Sequence, residues 1–271
     1  MFLSDFHTHS TFSSDGKNTM EEMAAAHYES GMNCICFTDH ADDCMREADL
    51  SFTPDKYINK KGIYEEYLRV RDEFGDKLDI RFGIELSSPN QEPAIAEKLT
   101  SLHPYDFIIG SVHNCTGLND YYFLNYTDED ECHRLIDSYL EEHLRMIETG
   151  GFDVVGHIGY LLKYMAKQGM FPDFTPHMDS VRSVLKLAIE KGIGIEINSS
   201  GLRANMANSI PTPPVIKLYR ELGGEIITTG SDSHNTKDAG AGIAECNEII
   251  KAAGFRYVTV FKDRRPEFIK I

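Results

Sequence analysis

Residues 2–9 read Phe2-Leu3-Ser4-Asp5-Phe6-His7-Thr8-His9, a short β-rich run that closes on two histidines one residue apart. Side chains alternate along an extended chain, so His7 and His9 leave the same face and can reach one point. Six further runs read as strands, at 34–38, 80–85, 107–110, 154–156, 194–197 and 225–229, with an eighth candidate at 257–261. Each of the first seven leads into metal-capable residues: Thr38-Asp39-His40, Gly83-Ile84-Glu85, Gly110-Ser111-Val112-His113, Gly156-His157, Glu196-Ile197-Asn198 and Gly230-Ser231-Asp232-Ser233-His234 follow the opening His7-Thr8-His9.

Helical patterns separate these runs. The first starts at a capping box, Thr19-Met20-Glu21-Glu22, and stops at Gly31; others cover 64–75, 92–102, 130–149, 178–191, 214–222 and 239–252. Strand and helix in alternation predict parallel strands with helical crossovers, an α/β barrel in one domain over residues 1–271. Such barrels build their sites at the carboxyl ends of the strands. The irregular stretches 42–61 and 201–214 are expected to loop over that rim.

Bulk properties narrow the class. A net charge of −16 argues against a nucleic-acid partner, because phosphate backbones need clustered Lys and Arg. No apolar run approaches the ~18 residues of a membrane span, and the opening residues are too polar for a signal peptide. The six cysteines form no CxxC pair, which suits reduced thiols in the cytoplasm, and Cys34 and Cys36 are expected to be buried. Oligomeric state leaves no mark.

One His-x-His carries little by itself. Six strand-end histidines with several acids at one rim are different, since charges crowded there need metal to offset their repulsion. Imidazole and carboxylate without thiolate suit zinc, manganese or iron, and the ligand count implies two or three ions. Such a site acidifies water and clamps the oxygens of an in-line displacement, chemistry that serves a phosphate ester as well as an amide or lactone. The loop Asn198-Ser199-Ser200-Gly201-Leu202-Arg203 favours phosphate, through the hydroxyl of Ser199 and the guanidinium of Arg203. Asp42 and Asp43 read first as solvated loop charges and second as acceptors for a cationic substrate end. His27, His103, His133, His143 and His177 lie away from strand ends and are assigned no site role.

HTHSTFSSDG at 7–16, FTDH, GIE, GSVH, GH, EINSSGLR and GSDSH stand in the order in which the PHP (polymerase and histidinol phosphatase) family carries its motifs, so the whole chain resembles that family. Within it, the early segment and INSSGLR look most like the monofunctional histidinol-phosphatases. The resemblance implies a distorted seven-stranded TIM-like (β/α) barrel with three metals. His7, His9, Glu85 and Asp232 would hold the first; Glu85 would bridge to a second on His113 and His157; Asp15, His40 and His234 would hold the third. Without the resemblance, Asp15 reads as a plain turn.

The resemblance further implies hydrolysis of a small phosphomonoester, with L-histidinol phosphate in histidine biosynthesis as the leading substrate and a nucleotide or another phosphorylated metabolite, monoester or diester, as the alternative. Asp232 would accept or orient the nucleophile's proton, His234 or a metal-bound water would serve the leaving oxygen, and Arg203 would grip the phosphoryl group. One segment departs from the pattern. After the fifth-strand histidine the family carries an Asp and a basic cluster, whereas Ile158-Gly159-Tyr160-Leu161-Leu162-Lys163 offers only Lys163 to the phosphate.

Overall fold

The computed structural model describes residues 1–46, 56–57 and 60–271, so most of the expected 42–61 loop lies outside the described residues. Its strands are β1 (Ser4–Thr8), β2 (Cys34–Phe37), β3 (His40–Ala41), β4 (Asp79–Ser87), β5 (Phe107–Ser111), β6 (Val154–Val155), β7 (Gly194–Asn198), β8 (Ile227–Gly230), β9 (Tyr257–Lys262) and β10 (Arg265–Lys270). All pairings from β1 to β8 are parallel, in the order β1-β2-β4-β5-β6-β7-β8, with the two-residue β3 also on β4. The wall nearly closes on itself: Thr8 bridges Ser233, His9 N–H donates to Ser233 O at 2.9 Å, and Asp232 N–H donates to His7 O at 2.7 Å.

The side-chain alternation of β2 sorts residues between two cores. Ile35 and Phe37 join the layer between wall and helices, whereas Cys34 and Cys36 pack inside with Phe6, Phe107, Ile109 and Val154. All six cysteines are buried and free.

Helices α1 (Met20–Glu29), α2 (Ile63–Phe74), α3 (Pro93–Thr100), α4 (Glu129–Thr149), α5 (Tyr160–Lys167), α6 (Met178–Glu190), α7 (Ser200–Arg203), α8 (Pro213–Glu221) and α9 (Ile243–Ala252) fill the crossovers. The capping box forms as expected: Thr19 Oγ1 accepts from Glu22 N–H, and Glu22 Oε2 accepts from Thr19 N–H. No helix among the described residues is long and apolar enough to cross a membrane.

The eighth candidate strand forms, and two readings of the helices need correction. The eighth strand exists but lies outside the wall, because Asp263 and Arg264 both have positive φ and turn β9 back onto β10 as a two-residue hairpin. Its Val260 and Phe261 instead join the apolar cluster inside the wall, with Phe261 5.0 Å from Phe107. Helix α9 begins four residues later than expected, after Gly240 and Gly242 at φ +69 and +81. Helix α5 was not foreseen; seven of its eight residues are buried, so it lacks the polar face that gives a surface helix its periodicity.

Candidate metal centre

Glu85 ends up between imidazoles because the period of two that buries Ile84 outward turns residue 85 to the barrel axis. Its Oε1 lies 2.9 Å from His157 Nε2 and 3.2 Å from His113 Nε2. Its Oε2 lies 3.3 Å from His7 Nε2, 3.6 Å from His9 Nε2 and 2.8 Å from His40 Nδ1. Asp232 Oδ1 faces the same two nitrogens, 3.8 Å from His7 and 3.5 Å from His9. Nearer solvent, Asp15 Oδ2 is 3.1 Å from His234 Nε2, Asp15 Oδ1 is 3.8 Å from His40 Nε2, and the two ring nitrogens are 3.4 Å apart.

Most of these rings are held from behind. His7 Nδ1 pairs with Glu196 Oε1 at 2.7 Å, His9 Nδ1 with Ser13 Oγ at 3.1 Å, His113 Nδ1 with Ser87 Oγ at 2.8 Å, and His234 Nδ1 with Asp232 O at 3.0 Å. Ser13 in turn donates to Asp39, which also accepts from Ser10. Such outer partners fix the ring and aim the other nitrogen inward. Glu196 further accepts from His157 N–H at 2.8 Å. A Cβ on Gly230 would lie 2.1 Å from Glu196 Oε1, so only glycine lets β8 pass this carboxylate. Asp232 sits just beyond at φ +55, a strained backbone of the kind that gathers at functional sites.

His7 Nε2, His9 Nε2, His40 Nδ1 and Glu85 Oε2 are buried and lack a hydrogen-bond partner among the described residues. Four orphaned groups aimed at one another are costly in a packed interior, and a shared cation satisfies them all. The groupings His7-His9-Glu85, Glu85-His113-His157 and His9-His40-His234 are each compact enough for one ion, so the residues present fit divalent metals.

Electrostatics follow the same lines. Burial alone would raise the Glu85 carboxyl, but His7, His113 and His40 hold it well below the usual carboxylate range. Burial would likewise raise Asp232, and Lys163 with His7 draws it down. His9 is pushed well below its usual value by burial and by the neighbouring His234 and His40.

All nine expected ligands thus converge. The phosphate residues divide. Lys163 lines the cleft from α5, its Nζ 3.4 Å from Asp232 Oδ2 and 3.3 Å from Ser200 Oγ. Ser199 and Arg203 do not line it: Arg203 Nη1 donates to Ser199 Oγ and Ala241 O, both at 3.1 Å, and Nη2 donates to Ser231 O at 2.6 Å. A guanidinium spent in this way braces the backbone beside Asp232. Asp42 and Asp43, read first as solvated, are buried, with Asp42 accepting from Ser87 Oγ and Asp43 from Tyr57 N–H at 2.7 Å. Sequence reading missed Tyr160, Tyr164 and Asp120, which line the cleft or its extension. It also missed the part played by Glu196, whose signal was its own strand-end position.

Residues 5–200 match the PHP domain. Histidinol-phosphatase from Lactococcus lactis is 26% identical over 98% of this chain and 98% of its own length. A probable histidinol-phosphatase from Thermotoga maritima is 26% identical over 94% of each chain. The crystal structure of the Lactococcus lactis histidinol phosphate phosphatase, complexed with zinc, L-histidinol and phosphate, has the same fold: TM-score 0.82, 24% identity, 98% of each chain covered.

Proposed function

This chain belongs to the PHP domain family, and from that premise we propose that it hydrolyses a small phosphomonoester, L-histidinol phosphate being the substrate its relatives' names favour. The observation that carries the reading is the split of Glu85 between two sets of imidazole nitrogens, Oε2 facing the unpartnered Nε2 of His7 and His9 and Nδ1 of His40, and Oε1 facing His113 and His157, with one buried lysine beside them. A scaffold that gathers ligands for adjacent cations next to an ammonium is suited to a phosphoryl group. The names and full-length coverage of the relatives support the substrate and a cytoplasmic biosynthetic role.

His7, His9, Glu85 and Asp232 would hold one divalent ion, Glu85, His113 and His157 a second, and Asp15, His40 and His234 a third, with zinc, manganese and iron all compatible with these donors. Bound there, the ions supply Lewis acidity, which acidifies water and offsets charge on the phosphoryl oxygens.

The chain's own groups do the rest. Burial would lower the Lys163 ammonium, but Tyr164 and Asp232 raise it above its usual value, so Nζ holds a phosphoryl oxygen as a full cation. Asp232, kept ionised, takes the proton of the attacking water at Oδ1. His234, 22% exposed at the cleft mouth, lies where solvent water reaches the leaving oxygen, and such a water is the proposed proton donor that His234 helps to position. Arg203 acts from behind, holding Ser231 and through it the turn that carries Asp232.

Steady-state phosphate release tests the reading. L-histidinol phosphate is expected to exceed nucleoside monophosphates and p-nitrophenyl phosphate in kcat/KM by at least tenfold; turnover no better than the aryl phosphate would remove the substrate assignment.

A further inference from the structure

Helix α1 buries Met20, Met23, Ala24 and His27, positions that share one helical face. His27 is the polar member of that stripe and is fully buried, so its ring nitrogens need partners. Nδ1 lies 2.7 Å from Met23 O, and Nε2 lies 2.9 Å from Asp5 Oδ2. Asp5 is fully buried as well, and its other oxygen accepts from Ser231 N–H at 2.8 Å and from His7 N–H at 3.3 Å. We propose that His27 is a positioning residue for the metal centre: acting through Asp5, it holds the backbone amides of His7 and Ser231 and so sets how His7 and Asp232 face each other. This rests on the metal-dependent phosphomonoesterase reading above.

The two amides lie on opposite sides of the seam where β1 meets β8. On one side, the register of β1 against β2 shifts between Asp5 and Thr8, the kind of irregularity that re-aims a side chain beside a site. Asp5 spans that shift by taking the amide of His7. On the other side, Ser231 follows β8 and precedes Asp232, whose φ of +55 persists only where its surroundings over-determine it. Three contacts do so: Ser231 N–H donates to Asp5, Ser231 O accepts from Arg203 Nη2 at 2.6 Å, and Asp232 N–H donates to His7 O at 2.7 Å. Two of the three run to β1, and one of those ends on the carboxylate that His27 holds.

The pair is directional. Met23 O can only accept, so Nδ1 carries hydrogen. Burial would raise the Asp5 carboxyl, and His27 with Ser231 draws it below its usual value, so the carboxylate accepts from Nε2 as well. A buried ion pair gains little stability over apolar side chains of the same volume, whereas loss of one partner leaves the other uncompensated. What His27 adds to an apolar stripe is therefore not packing but a tether from α1 to the two amides beside the candidate ligands.

Two substitutions separate tether from packing. His27→Gln can still donate to Asp5; His27→Leu fills the buried space and donates nothing. Hydrogen exchange read by mass spectrometry, on metal-loaded and on chelated protein, is expected to show the Ser231 peptide exchanging about tenfold faster in His27→Leu and within about threefold of wild type in His27→Gln, with α4 and α6 peptides unchanged. Turnover of p-nitrophenyl phosphate should follow the same order, kcat falling about tenfold in His27→Leu while KM stays within about twofold. A residue that only packs gives the reverse order, since leucine suits a buried apolar stripe better than glutamine. That reverse order, or a Ser231 peptide in His27→Leu that exchanges like wild type, overturns the proposal. His27→Met, which is more pliable in a core, replaces His27→Leu if that protein does not fold. If wild type releases phosphate from neither p-nitrophenyl phosphate nor L-histidinol phosphate, the phosphomonoesterase reading fails, and the order of exchange still decides whether His27 holds the seam.

Discussion

His7 gives its Nδ1 to Glu196 at 2.7 Å, and that pairing turns Nε2 toward Glu85 and Asp232. Both partners are fully or almost fully buried, so the carboxylate acts without competition from water. Glu196→Gln keeps the shape but loses the charge that favours His7 as a ligand. Loss of an outer partner of this kind typically costs roughly 10–100-fold in metal affinity. Chelator competition on the purified variant is expected to show that drop, with circular dichroism unchanged. Equal retention of metal by both proteins would mean that Glu196 serves packing alone.

Among the described residues, Lys163 is the ammonium that lines the cleft, held over the rings of Tyr160 and Tyr164 at 5.2 Å each. Lys163→Ala is expected to lower kcat/KM for any phosphomonoester by about 10²–10³, the scale for removal of one preorganised charge from a phosphoryl site. Lys163→Arg should recover little, since the planar fork is longer and Asp232 already lies within 3.4 Å of Nζ. Metal content measured by mass spectrometry should match wild type in both variants. Arg203→Ala should act differently, lowering kcat by loosening the turn before Asp232 while KM changes less.

The strand ends were legible because the barrel repeats one physical rule: an extended run emerges at one rim, and its last residues face the axis. His7, Glu85, His113 and Asp232 could be read that way from position alone. Asp15 could not, because it sits in a turn ahead of the first helix and reaches the site only through His234 and His40. Helix α5 and its Tyr160 and Tyr164 were illegible for the opposite reason: burial on nearly every side erased the polar face that marks a helix in sequence. The present contacts of Arg203 were illegible because a sequence shows a guanidinium but not the backbone carbonyls that it meets.

Metal removal should destabilise the fold as well as stop turnover. Without ions, the buried nitrogens of His7 and His9 and the Oε2 of Glu85 lack partners. Ligand held at a thousand times its Kd adds about 4 kcal/mol per site, so chelated protein should melt several degrees lower. Calorimetry before and after chelation, followed by addition of manganese or zinc, checks this. Identical melting curves would count against a metal centre. Glu85→Gln should melt like the chelated protein and gain little on addition of either ion, because both groupings that share this carboxylate lose it.

A separate acid sensitivity is built into α4. His143 is fully buried there, its Nδ1–H donates to Tyr139 O at 2.8 Å, and its Nε2 has no partner among the described residues. Burial, with a smaller contribution from His157, pushes its pKa down to about 4. The unfolded chain binds a proton on this ring near pH 6.5, whereas the folded chain resists until about pH 4. The neutral ring therefore costs nothing above pH 6.5, and stability is lost as the pH falls from there toward 4, by about 3 kcal/mol at 1.36 kcal/mol per unit. His143→Leu removes the titration and fills the same space. Metal-free wild type and variant, melted at pH 7.5 and pH 4.5, should differ in slope: the variant's Tm is expected to fall several degrees less. Parallel losses in the two proteins would locate the acid sensitivity elsewhere, in the histidines of the metal centre.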